Sequence, residues 1–128
     1  VMQPIKYSTW KHEARLKEAL EIVLRLKEKL PELVATDPHY LSAVNECRSM
    51  VLASEMFYRA CLARTESRGW FIREDYPHRD DRNMLKWVIL GKDGEQMSVS
   101  YEDVPMSRYR YQPEGWQGSA ASGSSGEH

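Results

Sequence analysis

The stretch RTESRGWFIREDYPHRDDRN, residues 64–83, combines many fixed charges with large apolar side chains. Its five arginines and five acids, with no lysine among them, are Arg64, Arg68, Arg73, Arg79 and Arg82 with Glu66, Glu74, Asp75, Asp80 and Asp81. A guanidinium group is a rigid fork of donors that matches a carboxylate two hydrogen bonds at a time. The composition therefore allows a closed ion-pair network, and the interleaved Trp70, Phe71 and Tyr76 favour a docking surface. A salt-bridged helix exit of little energetic value is the alternative.

Upstream of this stretch, residues 8–31, STWKHEARLKEALEIVLRLKEKLP, predict an amphipathic helix. Ser8 or Thr9 can cap its start, and Pro31 ends it. The apolar residues that recur near the helical period are Leu16, Ala19, Leu20, Val23, Leu26 and Leu30. One face of this helix is therefore expected to lie against a core.

Residues 38–67 predict a second, longer helix, with Asp37 as its N-cap and Pro38 at its first position. Its apolar residues lie on more than one face, so it has more apolar surface than one neighbouring helix can cover. Glu55 interrupts the apolar middle and has two interpretations. It is either an edge position that reaches solvent or a buried carboxylate paired with arginine, since an unpaired buried charge is very costly.

Residues 84–104, MLKWVILGKDGEQMSVSYEDV, predict a β-hairpin with its turn at residues 92–94, Lys-Asp-Gly. The side chains expected to face one another are Trp87, Val88 and Ile89 with Met97, Val99 and Tyr101. Residues 105–116 are interpreted as extended, and residues 117–128 as a flexible Gly/Ser-rich tail. The predicted fold class is mainly α: a short helical bundle of two to three helices with a C-terminal β-hairpin and an extended tail, residues 1–116 forming one domain.

Composition and motifs argue against several classes of function. The formal net charge of −1, from 18 basic and 19 acidic side chains, lacks the basic footprint of a nucleic-acid-binding protein. No apolar run reaches the roughly 20 residues that span a bilayer, and no signal peptide is recognisable, so a cytoplasmic location without membrane insertion is expected. Phosphate-binding glycine motifs, zinc-type ligand spacings and nucleophile elbows are missing as well. No catalytic, cofactor-binding or metal-binding residue is therefore predicted.

The two cysteines, Cys47 and Cys61, lie 14 residues apart in the second predicted helix. That spacing corresponds to roughly 21 Å along a helix, far beyond the reach of a disulfide. Both are interpreted as small buried hydrophobes in a reducing compartment.

Three runs carry a family resemblance: ARTESRG at residues 63–69, REDYPHRDD at residues 73–81, and the pair Leu85 and Lys86. With them the chain resembles, over about residues 1–105, the C-terminal domain of the flavoprotein subunits of the succinate dehydrogenase/fumarate reductase family. Those chains typically have Ala-His or Leu-His after Ser-Arg-Gly, where this chain has Trp70 and Phe71. The departure leaves open whether the chain belongs with the true succinate dehydrogenases or with a divergent branch, such as a fumarate reductase-like or an adenylylsulfate reductase-like one.

The resemblance implies that the chemistry resides elsewhere. FAD and the substrate-binding residues belong to upstream domains of such proteins, so this chain is expected to hold no cofactor and to be inactive alone. Its expected partners are the flavin-binding and capping domains of the parent chain, with an iron–sulfur subunit at the inner membrane face as a further option. The residues predicted to dock, exposed in the isolated chain and favouring self-association, are Arg64, Glu66, Arg68, Trp70, Phe71, Arg73, Asp75, Tyr76, Arg79 and Asp80. The alternative is a stand-alone helical protein-interaction module.

Overall fold

A computed structural model of the protein describes residues 5–114. Its elements are helices α1 (Ile5–Ser8), α2 (Glu13–Lys29) and α3 (Pro38–Ala63), strands β1 (Lys86–Asp93) and β2 (Gln96–Asp103), and single 3-10 turns at Leu30–Glu32 and Met106–Arg108. The predicted fold class is confirmed, because two main helices precede an antiparallel hairpin. The segment after β2 includes a 3-10 turn, so it is not extended throughout. The tail at residues 117–128 lies outside the described residues.

Helix α2 begins later than predicted. Its N-cap is His12, whose Nδ1 accepts a hydrogen bond from the Ala14 N–H at 3.2 Å. The prediction of Ser8 or Thr9 as the cap was wrong, because Ser8 ends the separate short helix α1. The end of α2 was predicted correctly: the helix stops shortly before Pro31, which has no N–H to donate.

Helix α3 starts as predicted and ends early. The Oδ1 atom of Asp37 accepts hydrogen bonds from the backbone N–H groups of His39 at 2.7 Å and Tyr40 at 3.2 Å. The helix ends at Ala63, because Arg64 has the extended backbone angles φ −92° and ψ 110°. The charged stretch that follows therefore forms a loop from its first residue onward, which is called the charged loop below (residues 64–83).

The core lies between α2 and the second half of α3. Leu16, Ala19 and Val23 come from the predicted stripe of α2, and Tyr58 and Cys61 meet them from α3. Full burial of one large aliphatic side chain contributes about 1.5–3 kcal/mol, so this short interface supplies much of the stability. The first half of α3 extends past this interface.

Two polar positions of α3 were left open or misjudged. Glu55 is buried, with Oε2 2.8 Å from Lys27 Nζ and Oε1 2.9 Å from Arg59 Nε, so the paired alternative is confirmed. Burial raises the pKa of Glu55, but the hydrogen bonds from Lys27 and Arg59 outweigh it, and the pKa lies below its ordinary value. Cys61 is buried as predicted, whereas Cys47 is exposed. That prediction was wrong because no described element covers the first half of α3.

The hairpin pairs β1 with β2, and Val88 lies opposite Tyr101 as predicted. Trp87 lies opposite Glu102 and Ile89 opposite Ser100, and Met97 lies opposite Lys92, so the rest of the expected apolar pairing was wrong. The turn falls slightly later than predicted, with Gly94 as its first residue at φ 59°. Glycine adopts this left-handed conformation at little cost, as the primed turns of tight hairpins require.

Candidate docking surface

Glu66 organises the charged loop. Its fully buried carboxylate has Oε1 2.5 Å from Arg64 Nη1 and 2.9 Å from Arg68 Nε. Oε2 lies 2.9 Å from Arg68 Nη2 and 2.9 Å from the backbone nitrogen of Asp80. Burial raises the pKa of Glu66, but the hydrogen bonds from Arg68 and the Asp80 amide outweigh it, so the pKa lies below its ordinary value. Glu66 therefore stays ionised at neutral pH and ties the two ends of the loop together.

Arg64 extends this arrangement to the hairpin. Its Nη1 donates to the Met84 carbonyl at 3.2 Å and its Nη2 to the Lys86 carbonyl at 2.6 Å. From the other side, the Tyr101 hydroxyl donates to the Ala63 carbonyl at 2.8 Å, at the end of α3. The hairpin is therefore attached to the last turn of α3 by side-chain hydrogen bonds to backbone carbonyls.

A second buried ion pair joins the two long helices. Arg73 is 1% exposed, and its Nη1 donates to the carbonyls of Cys61 at 2.8 Å and Arg64 at 3.1 Å. These carbonyls belong to the end of α3, where no helical N–H is available. Arg73 Nε and Nη2 lie 2.7 Å and 2.5 Å from the two carboxylate oxygens of Asp75. Oδ2 of Asp75 also accepts the backbone N–H of Glu13 at 3.0 Å, so the pair connects the end of α3 to the start of α2.

The electrostatics of this Arg73–Asp75 pair follow from its geometry. The hydrogen bonds from Arg73 lower the pKa of Asp75 to about 2, and the Glu13 amide acts in the same direction against burial. The hydrogen bonds to Asp75 in turn raise the pKa of Arg73. Both groups therefore stay charged at neutral pH, as a structural clamp requires.

The ten charges of the loop do not form the single closed network that the composition allows. They divide into the Arg73–Asp75 pair and a Glu66 cluster, which consists of Arg64, Glu66, Arg68, Asp81 and Arg79. Within the cluster, Arg68 Nη2 lies 2.6 Å from Asp81 Oδ1, and Arg79 Nη2 lies 2.7 Å from Asp81 Oδ2. Arg79 is exposed, so the cluster runs from the interior to the surface.

Three charges of the loop have other surroundings. Glu74 pairs with Arg15, because the first turn of α2 passes close to this part of the loop. The Asp80 carboxylate accepts hydrogen bonds from the Asn83 backbone at 3.0 Å and side chain at 2.9 Å, which lower the pKa of Asp80. Arg82 forms no salt bridge with any residue in the range 5–114. The turn at Asp80–Asn83 and the neighbouring helix α2 therefore provide partners for Asp80 and Glu74, in place of arginines of the loop.

Trp70 stands at the tip of a tight turn. The backbone groups of Arg68 and Phe71 exchange two hydrogen bonds, at 2.8 Å and 3.0 Å, and enclose Gly69 and Trp70. Gly69 has φ 58°, which favours glycine there. Trp70 is 98% exposed, whereas Phe71 packs against the core. The turn therefore projects one large aromatic side chain outward from a hydrogen-bonded base.

The predicted docking residues divide by exposure. Glu66 and Arg73 lie fully inside this chain, so the expectation of an exposed surface was wrong for both. Tyr76 is partly exposed, with its ring centre 4.9 Å from the Arg73 guanidinium carbon. Trp70 and Arg79 are exposed. The enclosed charges shape the loop, and the exposed side chains are those available to another surface.

Large apolar side chains remain exposed along α3. They are Tyr40, Leu41, Met50, Leu52 and Met56. We call them the exposed apolar residues of α3. No element within the described range encloses them.

A cleft of about 280 Å³ opens where the charged loop meets the hairpin. Phe71, Met84 and Trp87 form its apolar lining, and Arg64 and Arg68 border it. The guanidinium groups of both arginines already belong to the Glu66 cluster. The cleft therefore offers mainly apolar contact.

Lys11 is a residue of this region that the sequence did not indicate. It is 5% exposed, and its Nζ lies 5.0 Å from the ring centre of Phe71 and 5.9 Å from that of Phe57. Its backbone is bonded to the loop, with its N–H donating to Ile72 at 3.3 Å and its carbonyl accepting from Glu74 at 2.8 Å. A lysine in a polar stretch is normally a surface residue, so no pattern could have revealed this burial.

Between residues 5 and 114, no three His, Cys, Asp or Glu side chains are grouped as a metal ion would need. None of the helices in that range combines the length and apolarity that crossing a bilayer requires. The charged loop, the exposed apolar residues of α3 and Lys11 are the features that a function has to explain.

Comparison with known proteins identifies the family. Residues 4–116 match the family described as fumarate reductase flavoprotein C-term, and the chain belongs to this family. The match includes α2, α3, the charged loop and the hairpin. The resemblance drawn from the loop motif is thereby confirmed.

Two curated relatives are flavoprotein subunits of larger enzymes. The succinate dehydrogenase flavoprotein subunit of Coxiella burnetii is 31% identical over 105 residues, which cover 78% of this chain and 17% of the relative. The 8-methylmenaquinol:fumarate reductase flavoprotein subunit of Wolinella succinogenes is 33% identical over 79 residues, 59% of this chain and 13% of the relative. The chain thus spans less than a fifth of the length of either protein.

Solved structures share the fold. The FrdA chain of Escherichia coli quinol fumarate reductase superposes with a TM-score of 0.74 at 22% identity, over 88% of this chain and 20% of that chain. A quinol-fumarate reductase with menaquinol molecules gives 0.73 at 22% identity, over 82% of this chain and 20% of its own. At this level of identity the likeness extends to the fold alone.

Proposed function

We propose that the chain is the C-terminal docking domain of an FAD-dependent oxidoreductase of the fumarate reductase/succinate dehydrogenase class. The observation that supports this is the number of exposed apolar residues of α3 together with the exposed Trp70, in a chain that matches less than a fifth of its relatives. Exposed apolar surface commonly marks contact with another protein surface. The flavin-binding and capping domains of the parent chain are the partners that the family membership suggests.

The rigid loop suits such a contact. The Glu66 cluster and the Arg73–Asp75 pair hold the loop in one conformation. Binding of a partner therefore does not incur the entropic cost of ordering the backbone around Trp70. Exposed tryptophans on preorganised turns are typical anchors of an interface. The ionised groups of the loop serve structure in this proposal, and no catalytic residue is assigned to the chain. FAD and substrate are held by the remainder of the parent, with an iron–sulfur subunit as a further partner.

Trp70→Ala tests the docking role, and Tyr111→Ala is its matched control, since both side chains are exposed aromatics. In the isolated chain, neither substitution should change the thermal unfolding midpoint. In the full-length flavoprotein, Trp70→Ala should lower the midpoint and the flavin retained after desalting, because an interface tryptophan contributes about 2 kcal/mol or more. Equal behaviour of the two variants in the full-length protein would refute docking through Trp70.

A second experiment tests where the flavin binds. The 128-residue chain is incubated with FAD, desalted and measured by visible absorption. The proposal expects no retained flavin band. A stoichiometric band would place cofactor binding in this chain and contradict the assignment. A chain that binds neither flavin nor the remainder of a flavoprotein would favour the stand-alone interaction module.

A further inference from the structure

Lys11 places a cation in an apolar environment without an anion beside it. Its ammonium contacts the rings of Phe57 and Phe71. Within residues 5–114 this side chain has neither an ion pair nor a side-chain hydrogen bond, because the acids of the adjacent loop segment, Glu74 and Asp75, pair with arginines. Cation–π contacts recover part of the hydration that a buried ammonium loses. An anion normally provides the rest.

The ammonium of Lys11 is buried but not completely sealed. The residue is 5% exposed, and the one side-chain nitrogen of the described range that is both fully enclosed and without a partner is Arg15 Nε. Phe57 and Phe71, which flank it, are both only partly buried. Phe57 also follows Met50 by two helical turns, on the same side of α3. The cation therefore lies between α3, which provides Phe57, and the charged loop, which provides Phe71.

We propose that Lys11 receives a carboxylate from the flavin-binding or capping domain of the parent chain, an inference that rests on the docking function proposed above. The occupant is an acidic side chain with apolar neighbours, because an ammonium bordered by Phe57 and Phe71 is complementary to that combination. Docking removes the remaining water from Lys11 and lowers the local dielectric, which strengthens the attraction between the two charges. The aromatic rings hold the ammonium in place before the partner arrives.

Zero-length cross-linking identifies the partner group directly. A water-soluble carbodiimide, applied to the full-length flavoprotein, joins an ammonium to a carboxylate with which it is paired, and peptide mass spectrometry locates the bond. We expect Lys11 linked to an aspartate or glutamate outside this domain. Interdomain links at other lysines without one at Lys11 would overturn this inference and leave the docking function intact. A Lys11 product that forms only with added succinate, as a probe dicarboxylate, would indicate a small-molecule site and would also overturn it.

Lys11→Met provides an independent measurement, with Lys17→Met as control because Lys17 is exposed and pairs with Glu13 within α2. Methionine fills similar space and makes favourable contacts with aromatic rings, so the unfolding midpoint of the isolated chain should stay within a few degrees of wild type. In the full-length flavoprotein, Lys11→Met should raise the rate of domain release roughly 30-fold or more. Limited proteolysis measures this rate. Lys17→Met should change neither quantity, and Lys11→Arg should restore part of the loss.

The outcomes separate the two proposals. If Lys11→Met releases the domain no faster than Lys17→Met while Trp70→Ala does release it, docking stands and the carboxylate contact is refuted. If Lys11→Met destabilises the isolated chain as much as the full-length protein, Lys11 has an internal structural role and the inference fails. If neither Trp70→Ala nor Lys11→Met affects the full-length protein, both proposals fail together.

Discussion

Glu66→Gln removes the charge at the centre of the loop. The carboxylate accepts four hydrogen bonds, three from the guanidinium groups of Arg64 and Arg68 and one from the Asp80 amide. Glutamine fits the same space but has one acceptor oxygen and no charge. The donors that bond to the replaced carboxylate oxygen would therefore face an NH₂ group, which is itself a donor. Loss of one partner from a buried ion pair costs about 3–5 kcal/mol. Arg64 and Arg68 keep some contact with water, at 19% and 30% side-chain exposure, so we expect a value near the lower limit, about 3 kcal/mol.

Urea denaturation of the 128-residue chain at neutral pH, followed by far-UV circular dichroism, measures this loss. With a denaturant dependence of about 1–3 kcal/mol per molar urea, the midpoint should fall by roughly 1–3 M. Glu74→Gln is the matched control, because the Glu74–Arg15 pair is partly exposed on both sides. Its cost should stay below about 1 kcal/mol. If Glu66→Gln costs no more than Glu74→Gln, the buried cluster does not hold the fold and the argument for a preorganised loop fails.

Three further predictions concern the fold. The pKa of Asp75 is lowered from 3.8 to about 2, so its pairing with Arg73 stabilises the protein fully above its unfolded pKa and is lost as pH falls through the folded value. The shift corresponds to about 2 kcal/mol. Between about pH 5 and pH 2, urea titrations should show that the unfolding free energy of Asp75→Asn falls by about 2 kcal/mol less than that of wild type; an equal fall in both would contradict the pairing. Leu16→Ala should cost about 2–5 kcal/mol and lower the thermal midpoint, whereas Leu26→Ala, at a half-exposed position, should cost under about 1 kcal/mol; equal costs would mean that the core is misplaced. Gly94→Ala should cost about 1–2 kcal/mol in thermal unfolding, because φ 59° strains any Cβ although the space around it is open; no effect would show that the turn adapts.

Much of the fold was predictable because it depends on local rules. The 3.6 period placed Leu16, Ala19 and Val23 on one buried face, and the Asp37–Pro38 pair marked the start of α3 correctly. The run of arginines and acids indicated the charged loop. Each of these signals acts over a few residues, within one element.

Most of what the sequence left open or predicted wrongly depends on neighbouring elements. Glu55 is enclosed because Lys27 approaches from α2, and Cys47 is exposed because no described element reaches its part of α3. His12 caps α2 because the preceding chain forms a separate short helix. None of these outcomes follows from the local pattern around the residue.

Periodicity, caps and composition encode the two long helices, the hairpin and the chemical character of residues 64–83, so the chain alone predicts these features. The partners of the charges depend on the folded chain. Packing joins Arg73 and Asp75 to both long helices, pairs Glu74 with Arg15 and places Lys11 beside two aromatic rings. An ion pair needs two groups within a few ångströms, and for these contacts that distance is set by how the charged loop packs against α2 and α3, which no local pattern specifies.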